Sequence, residues 1–422
     1  MARTETDEHL AAELATESTG DEQPDTAADP SEQPADTRGV TTIAAAHLSH
    51  DIYSSFRDPL IPVVQEKLGI SLAVASLMVP AQSLPSLLQP FFGVVADRTS
   101  RRWFVILAPA VAAVSVSSIG LAPNVAIVLL LLFTAGLASA AFHTPAVALV
   151  GEYGGAQMGR AMALFQAGGS LARSLGPLIV TGAIAIFTVE GLWVVMVFGI
   201  LASFTLYFKV DTRAIDAARK GQEHVPIMPV LRARGRYIAA LLGFGLLRSL
   251  GRSPFSIFLV ALLVDKGRSE WYAGVTLSAM FTAGIVGGFV GGILSDRFGR
   301  RVIMAGSILL LVPVYYTYLW LENGSIWVIG LVMLAGLISM ASGPVELALA
   351  QEITPEARGP MAGLVLAFQF VTMSIIALGF GFLADRIGLV NAYWIVPGMS
   401  LLALAVVPFL PRRGQPLPPV VV

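Results

Sequence analysis

Long apolar runs recur along almost the whole chain, and they limit the possible folds more than any other feature. A helix of about 20 apolar residues crosses the roughly 30 Å of hydrocarbon in a bilayer. In lipid the backbone must satisfy its own hydrogen bonds, which favours helices for these runs. The sequence therefore predicts an all-α membrane protein. Its twelve predicted spans cover residues 41–66, 71–96, 103–121, 124–149, 159–187, 190–208, 237–264, 270–295, 301–321, 325–349, 359–383 and 390–410.

The composition agrees with this class and defines the segments between the spans. Charged residues make up 13% of the chain, whereas soluble domains carry about 25%. Cysteine is absent, which excludes disulfides and thiolate metal sites. Residues 1–40 hold 11 acidic side chains against two arginines and contain no apolar run, so they predict a disordered acidic tail. The spans then form two six-helix bundles, 41–208 and 237–411, separated by a central loop (209–236) and followed by a short tail (412–422).

Basic residues collect on one side of the predicted membrane. If the N-terminus is cytoplasmic, the central loop alone brings seven Lys or Arg to the inner side. The outer loops then hold four, namely Lys67, Lys266, Arg268 and Arg386. Because Lys and Arg are retained on the cytoplasmic side of membranes, we predict that both termini are cytoplasmic. The predicted location is the inner (plasma) membrane of the cell, as a multi-pass protein.

The two bundles repeat each other in sequence. The segment AGLASAAFHTPAVALVGE at 135–152 matches AGLISMASGPVELALAQE at 335–352 without a gap, at an offset of 200 residues. A duplicated six-helix unit is typical of transporters whose paired bundles move about a central site. The repeat therefore predicts two pseudo-symmetric bundles and alternating access.

A second repeat lies in the loops after spans 2 and 8. GVVADRTSRR (93–102) and GILSDRFGRR (292–301) share the pattern G-x-x-x-D-R-x-small-R-R. This pattern resembles the signature loop of the major facilitator superfamily, and the resemblance extends over about residues 41–411. It implies a gate in which Asp97 faces the start of span 11 near Arg358, and Asp296 faces the start of span 5 near Arg160. The alternative is that the loops only enforce topology. The residues predicted for these loops are Gly93, Asp97, Arg98, Arg101, Arg102, Gly292, Asp296, Arg297, Arg300 and Arg301, with Arg160 and Arg358 opposite.

A narrower resemblance concerns the first bundle. HLSHDIYSSFRDPLIPVVQEKLGIS (47–71), SLLQPFFGVVADR (86–98), AAFHTPAVAL (140–149) and ALFQAGGSLARSLGPL (163–178) resemble the fosmidomycin resistance protein group of exporters. The last segment also resembles the Gly-Pro signature of superfamily exporters. These resemblances imply export, and they add Tyr53, His143 and Gln166 to the candidate substrate-binding residues.

Charged side chains inside the spans are costly in lipid and mark functional sites. The basic ones are Arg57, Arg173, Arg248 and Arg252, and the acidic ones are Asp51, Asp58 and Glu346. His47, His50 and Asp51 share a face of span 1, as Arg248 and Arg252 share a face of span 7. In the superfamily, spans 1, 4, 7 and 10 line the cavity, so these groups are expected to face it.

Two interpretations of the buried arginines remain open. A guanidinium fork matches carboxylate, phosphate or phosphonate, so in the first interpretation Arg248, Arg252 and Arg173, together with His50, form an anion site. Alternatively, Arg248 pairs with Asp51 and Arg252 pairs with Glu346, while Arg57 pairs locally. Groups that titrate can couple transport to protons, and the candidates are Asp51, Glu346, His47 and Asp58.

The predicted function is secondary active transport, namely proton-coupled export of a small organic anion or amphiphilic drug, phosphonate-like or carboxylate. Uptake of an anionic metabolite and a transport-inactive sensor or scaffold are the alternatives. An enzyme is not expected, since no catalytic spacing is found, and neither a cofactor nor a metal site is expected. The expected partners are the substrate, protons and the lipid bilayer, without nucleic acid, and the chain is expected to act as a monomer.

Overall fold

The computed structural model describes residues 34–212, 228–321 and 326–419, and the regular structure within these ranges is helical. The first half contains α1 (Thr37–Ser54), α2 (Arg57–Leu68), α3 (Leu72–Ala75), α4 (Met78–Ser83), α5 (Gln89–Arg98), α6 (Arg101–Ser117), α7 (Val125–Gly154), α8 (Met158–Phe187) and α9 (Met196–Lys209). The second half contains α10 (Met228–Ile257), α11 (Leu259–Asp265), α12 (Glu270–Phe298), α13 (Arg300–Trp320), α14 (Ile326–Ile353), α15 (Arg358–Ile387) and α16 (Leu389–Met399).

The number of membrane-crossing helices agrees in part with the prediction. Within the described residues, 10 helical segments are long and apolar enough to cross a bilayer, or 11 if the bent pair α10–α11 counts as one span. The first predicted span is present as α1 and α2 but is not among these segments. Its break at Ser55–Phe56 and its charges at Asp51, Arg57 and Asp58 set it apart from the others.

A proline lies near the bend in the first span of each half. A proline ring clashes with the carbonyl group four residues earlier and removes a backbone donor. Pro59 therefore disfavours a continuous helix through Ser55, and α2 restarts at Arg57. Pro254 lies near the end of α10, and the chain bends by 53° between α10 and α11.

Two predicted boundaries need correction. Helix α1 begins at Thr37 rather than 41, because the Asp36 carboxylate accepts the backbone N–H groups of Arg38 and Gly39 and caps the helix. Helix α10 begins at Met228, although residues up to 236 were predicted as loop. Arg234 holds this first part in place by donating to the carbonyl of Ile353 at 2.7 Å. The rest of the predicted tail and central loop, residues 1–33 and 213–227, lies outside the described residues.

The repeated segments found in the sequence lie in α7 and α14, which correspond to the fourth predicted span of each half. Helix α14 packs closely against α12, because Gly287 and Gly291 face the backbone of Leu337 and Ala341. Small residues allow such close approach between helices in lipid. Each half has a buried apolar cluster of its own, and a larger one extends across both halves.

The halves meet at the end that lies away from the two signature loops. We call the end with those loops the loop end and the other the opposite end. At the opposite end Thr181 of α8 lies against Gly274 of α12, and Ser76 lies against Gly381 of α15. The stretch of α8 nearer the loop end contains exposed side chains, among them Leu164 and Gln166.

Candidate functional site

Asp51 on α1 is the centre of a buried polar cluster in the first half. One carboxylate oxygen lies 3.2 Å from Nε2 of His47, and the other lies 3.5 Å from Nε2 of His143 on α7. His47 and Asp51 are 4% and 9% exposed. The polar face of α1 that the sequence indicates therefore packs against α7.

Both histidine rings are oriented by backbone carbonyls. His47 Nδ1 lies 2.8 Å from the carbonyl oxygen of Phe165, and His143 Nδ1 lies 2.8 Å from that of Ser139. Gly169 of α8 leaves the space that the cluster occupies, since a Cβ there would meet the imidazole of His47 and the carboxylate of Asp51. The cluster is therefore held from α1, α7 and α8 together.

His50 lies beside this cluster. Its ring is fully buried and stacks on Phe142, with 4.8 Å between ring centroids. The centroid of the His143 ring lies 5.8 Å from that of His50. The sequence-based grouping of His50 with the other polar residues of α1 and α7 agrees with this placement.

A second cluster joins α10 to α14 in the other half. Arg248 donates from Nη2 to Glu346 Oε2 at 2.7 Å and from Nη1 to Ser342 Oγ at 3.1 Å. Arg248 is 5% and Glu346 1% exposed. Gly245 lies beside the carboxylate, and a Cβ there would meet Glu346 Oε1. Two opposite charges are thus brought together in an interior from which water is largely excluded.

Arg252 lies one turn after Arg248 on α10. Among the described residues no hydrogen bond or ion pair to its guanidinium is found, and its Nε is buried without a partner. Its charge interacts with those of Arg248, Glu346 and Arg173. An unpaired guanidinium in the interior is a group that an anionic ligand could satisfy.

These contacts correct the predicted structural pairs. Asp51 contacts the two histidines and not Arg248, while Glu346 contacts Arg248 and not Arg252. The reason is local, because Asp51 is one turn from His47 on α1, whereas Glu346 meets the first of the two arginines on α10. Of the two arginines on α10, Arg252 is the one for which no acidic partner is found among the described residues.

Three further residues of the first half lie outside the two buried clusters, namely Arg57, Asp58 and Tyr53. Arg57 donates to Asp58 at 2.7 Å and to Ser83 at 3.2 Å, which is the local pairing favoured for Arg57. Asp58, which was predicted as a proton carrier, thus forms an ion pair with Arg57. Tyr53 was predicted to bind substrate, but its hydroxyl donates to the carbonyl of Val195 at 2.7 Å and the side chain is buried there.

Arg173 and Gln166, the two candidates on α8, are both exposed. Arg173 approaches Ser170 Oγ at 3.4 Å, and its charge also acts on His143. Gln166 follows Phe165, whose carbonyl orients His47. Arg173 is therefore electrostatically linked to both clusters, since it also acts on Arg252.

The signature loops contain an ion pair in each half that the sequence analysis missed. Arg101 lies 3.9 Å from Glu152 at the end of α7, and Arg300 lies 2.9 Å from Glu352 at the end of α14. Each glutamate is the last residue of one of the two repeated segments, 135–152 and 335–352. The sequence signal that could have revealed these ion pairs is the glutamate that ends both repeated segments.

The predicted contact between Asp296 and the start of the fifth span is not found among the described residues. Asp296 lies 2.6 Å from Arg300 and is largely exposed, while Arg160 approaches Gln157 at 3.5 Å. The two partners face different groups because the halves meet at the opposite end. The side chains of Asp97 and Arg358 lie outside the described residues.

Several of the remaining residues of the signature loops contact neighbouring helices. Gly93 packs against Thr144 of α7, whereas Gly292 has open space around it. Arg102 donates to the carbonyls of Tyr207 and Val210 at 2.6 and 2.7 Å. Arg301 donates to Pro408, the Arg297 carbonyl accepts from Arg413, and Arg98 is exposed.

A third copy of the signature lies at the opposite end. GFLADRIG (381–388) fits G-x-x-x-D-R-x-G, and the sequence analysis did not single it out. Its Asp385, near the end of α15, accepts the backbone N–H groups of Leu72 and Ala73 at 3.0 Å each. Asp385 thus caps α3 of the other half. It also lines a cavity of about 550 Å³ between the halves, with Glu66 and Asp265.

A helical chain that crosses the bilayer many times and keeps charged side chains buried within each of its two halves has the construction of a membrane transporter. It belongs to the Major Facilitator Superfamily, whose family profile matches residues 43–250 and 241–421. Members of this superfamily are transporters and are generally not enzymes.

Two curated relatives align over most of the chain. The fosmidomycin resistance protein of Escherichia coli (strain K12) is 26% identical over 87% of this chain and 91% of its own length. The MFS-type transporter YfnC of Bacillus subtilis (strain 168) is 24% identical over 87% and 90%. The resemblance to the fosmidomycin resistance protein group, inferred from the first half, is confirmed.

Solved structures agree in fold. A bacterial homologue of the human lysosomal transporter Spinster, in an inward-facing and occupied conformation, superposes with a TM-score of 0.72 at 14% identity, covering 90% of this chain and 95% of that one. A D-xylose–proton symporter superposes with a TM-score of 0.67 at 16% identity, covering 90% and 98%.

Proposed function

We propose that the protein is a proton-coupled secondary transporter that exports a small organic anion or an anionic amphiphile, phosphonate-like or carboxylate. The observation that carries this proposal is Arg252, an interior guanidinium with no acidic partner among the described residues. A cation kept in a largely apolar interior is costly unless it is paired. A bound anion supplies the partner, and the fork of the guanidinium selects planar or tetrahedral oxyanions.

The direction of transport is supported by two considerations. A relative whose name refers to fosmidomycin resistance aligns over most of the chain, which favours export. The Lys and Arg distribution assigns the loop end to the cytoplasm. With the halves in contact at the opposite end, substrate would then enter from the cytoplasm toward Arg252 and Arg173. The location we propose is the inner membrane.

Uptake of an anionic metabolite is the second candidate function. It would use the same arginine and would differ in the direction of the driving force. Export of lipophilic cations is disfavoured by the unpaired Arg252. The ion pairs of the signature loops, such as Arg300–Glu352 at 2.9 Å, favour a working transporter over a scaffold.

We expect Arg252→Ala to abolish stabilisation by anions. A charge-assisted hydrogen bond contributes about 1.5–3 kcal/mol, so its loss should weaken anion binding by about tenfold to a hundredfold. The measurement is thermal unfolding of the purified protein with phenylphosphonate, glycerol phosphate, succinate and a cationic dye. Wild type should be stabilised by an anion and Arg252→Ala should not.

Arg412→Ala is the matched control, because it removes an exposed arginine near the chain end. It should keep the full anion response. A cationic dye that stabilises wild type while no anion does would contradict the proposed substrate class. So would a full anion response in Arg252→Ala.

We further propose that Glu346 carries the coupled proton, since its carboxylate neutralises Arg248 in the structure. Protonation of Glu346 would free Arg248 for the anion, and deprotonation would restore the pair. We expect Glu346→Gln to lose transport driven by a pH gradient while retaining exchange of labelled for unlabelled anion in proteoliposomes. Proton carriage by Asp51, His47 and Asp58 stays a prediction from the sequence.

Ser342→Ala is a suitable comparison, because it removes the neutral partner of Arg248 and leaves the carboxylate in place. It should retain a measurable response to the pH gradient. Accumulation by Glu346→Gln at the wild-type level would exclude Glu346 as the coupling group and would leave the anion site untouched.

A further inference from the structure

We infer that His47, Asp51 and His143 form a binding site for a divalent transition-metal ion in the first half. The inference does not depend on the proposed anion site, which is centred on Arg252 in the second half. One imidazole nitrogen from each histidine and one carboxylate oxygen all lie within 4.8 Å of one another. The sequence analysis expected no metal site, because His143 is 92 residues from Asp51 and only the fold brings them together.

The distances match a metal site. Zinc binds histidine nitrogen and carboxylate oxygen at about 2.0–2.2 Å, so two ligand atoms of a tetrahedral site lie about 3.4 Å apart. His47 Nε2 lies 3.2 Å from Asp51 Oδ2 and His143 Nε2 lies 3.5 Å from Asp51 Oδ1, so each imidazole stands at a ligand–ligand distance from one oxygen of the carboxylate. A small inward movement of the two imidazoles would therefore bring three ligand atoms to three corners of a tetrahedron around the ion.

The hydrogen bonds of the rings also favour a metal. A carbonyl oxygen can only accept, so Nδ1 of His47 and Nδ1 of His143 both carry the hydrogen. In the neutral rings the lone pairs of both Nε2 atoms then point toward a carboxylate, which is itself an acceptor. Three acceptors that converge in a buried place are satisfied by a proton on an imidazole or by a metal ion bound between them, and a metal ion satisfies all three at once. A second ring nitrogen held by a carbonyl is the usual arrangement around metal-binding histidines.

The donor set defines the class of ion. Two imidazoles and one carboxylate suit borderline metals such as Zn²⁺, Co²⁺ and Ni²⁺ better than Ca²⁺ or Mg²⁺, which prefer oxygen donors. The side chain of His143 is 26% exposed, whereas those of His47 and Asp51 are 5% and 12% exposed. The ion can therefore enter beside His143, and a fourth position stays available for water or an anion.

Titration of the purified protein with Co²⁺ tests this inference by optical spectroscopy. The full chain must be free of a polyhistidine tag, since such a tag binds Co²⁺ itself. We expect saturable one-to-one binding with d–d absorption bands, and displacement of Co²⁺ by Zn²⁺. Asp51→Asn and His143→Ala should each lose these bands.

The control is His50→Gln, which removes a neighbouring buried histidine that is not part of the donor set, and it should keep the bands. If a variant fails to fold, X-ray absorption of the zinc-loaded wild type provides the second test, because two imidazoles should appear in the zinc shell. The absence of saturable Co²⁺ binding by wild type would overturn the inference. Retention of the bands in both Asp51→Asn and His143→Ala would overturn it as well.

Discussion

Replacement of Glu346 by alanine is expected to lower the free energy of unfolding by about 3–5 kcal/mol, because it leaves the buried charge of Arg248 without a counterion. The guanidinium lies 2.7 Å from this carboxylate, and Glu346 is 1% exposed. Water cannot replace the lost partner without opening α10 from α14. The single change Arg248→Ala should cost a comparable amount, since it strands the carboxylate instead.

The double replacement Arg248→Met/Glu346→Leu should recover most of this loss. Apolar residues of similar volume often replace a buried ion pair with little loss of stability. The measurement is reversible unfolding in mixed detergent micelles, followed as a double-mutant cycle with the four proteins. Additive effects of the single changes, without recovery in the double variant, would show that the pair is not coupled. Arg57→Met/Asp58→Leu offers a comparison at a pair of adjacent residues.

The fold was predictable because bilayer length and helix periodicity act locally. Apolar runs of sufficient length, the repeat at an offset of 200 and the two signature loops led to the superfamily before any coordinates. The boundary at Thr37 was missed because its capping residue, Asp36, was assigned to the acidic tail, and the segment from Met228 was missed because distant residues hold it in place. Arg234, for example, anchors the first part of α10 by donating to the carbonyls of Ile353 and Pro418, and its own backbone, at φ −120° and ψ 15°, interrupts the helix there.

The members of the candidate site were predictable, but their partners were not. A charge within an apolar run is recognisable from sequence, and this indicated Asp51, Arg248, Arg252 and Glu346. Which acid contacts which base depends on how the helices are oriented and positioned along their axes relative to each other. A displacement of α10 by one helical turn along its axis would have given Glu346 to Arg252 instead of Arg248. The metal-binding donor set was missed for the same reason, since its members come from two helices.

Asp385→Ala is expected to open the opposite end and shift the population toward a state accessible from that side. The carboxylate accepts two backbone N–H groups from the other half, at Leu72 and Ala73. Charge-assisted hydrogen bonds of this kind contribute about 1.5–3 kcal/mol, so the population ratio should change by about tenfold or more. Asp385→Asn, which keeps one acceptor oxygen, should have a smaller effect.

The native chain contains no cysteine, so spin labels can be introduced without background. Labels at Leu121→Cys and Trp320→Cys, two exposed positions of different halves at the opposite end, would report the separation by pulsed electron paramagnetic resonance. Asp265→Asn is the matched control, because Asp265 lines the same cavity and no hydrogen bond between its side chain and the other half is found within the described ranges. A distance distribution that is unchanged in folded Asp385→Ala would show that Asp385 does not hold this end closed.

The position of Asp385 connects it to alternating access. The sequence predicts that Asp97, in the first signature loop, faces the beginning of the helix that ends near Asp385. Two acids of the same motif would then hold α15 to the first half, one at each end of the membrane. In a transporter that opens one side at a time, each open state releases one of these two contacts. Weakening Asp385 should therefore favour the state in which Asp97 is engaged, and an additional Asp97→Ala change should return the population toward the wild-type balance.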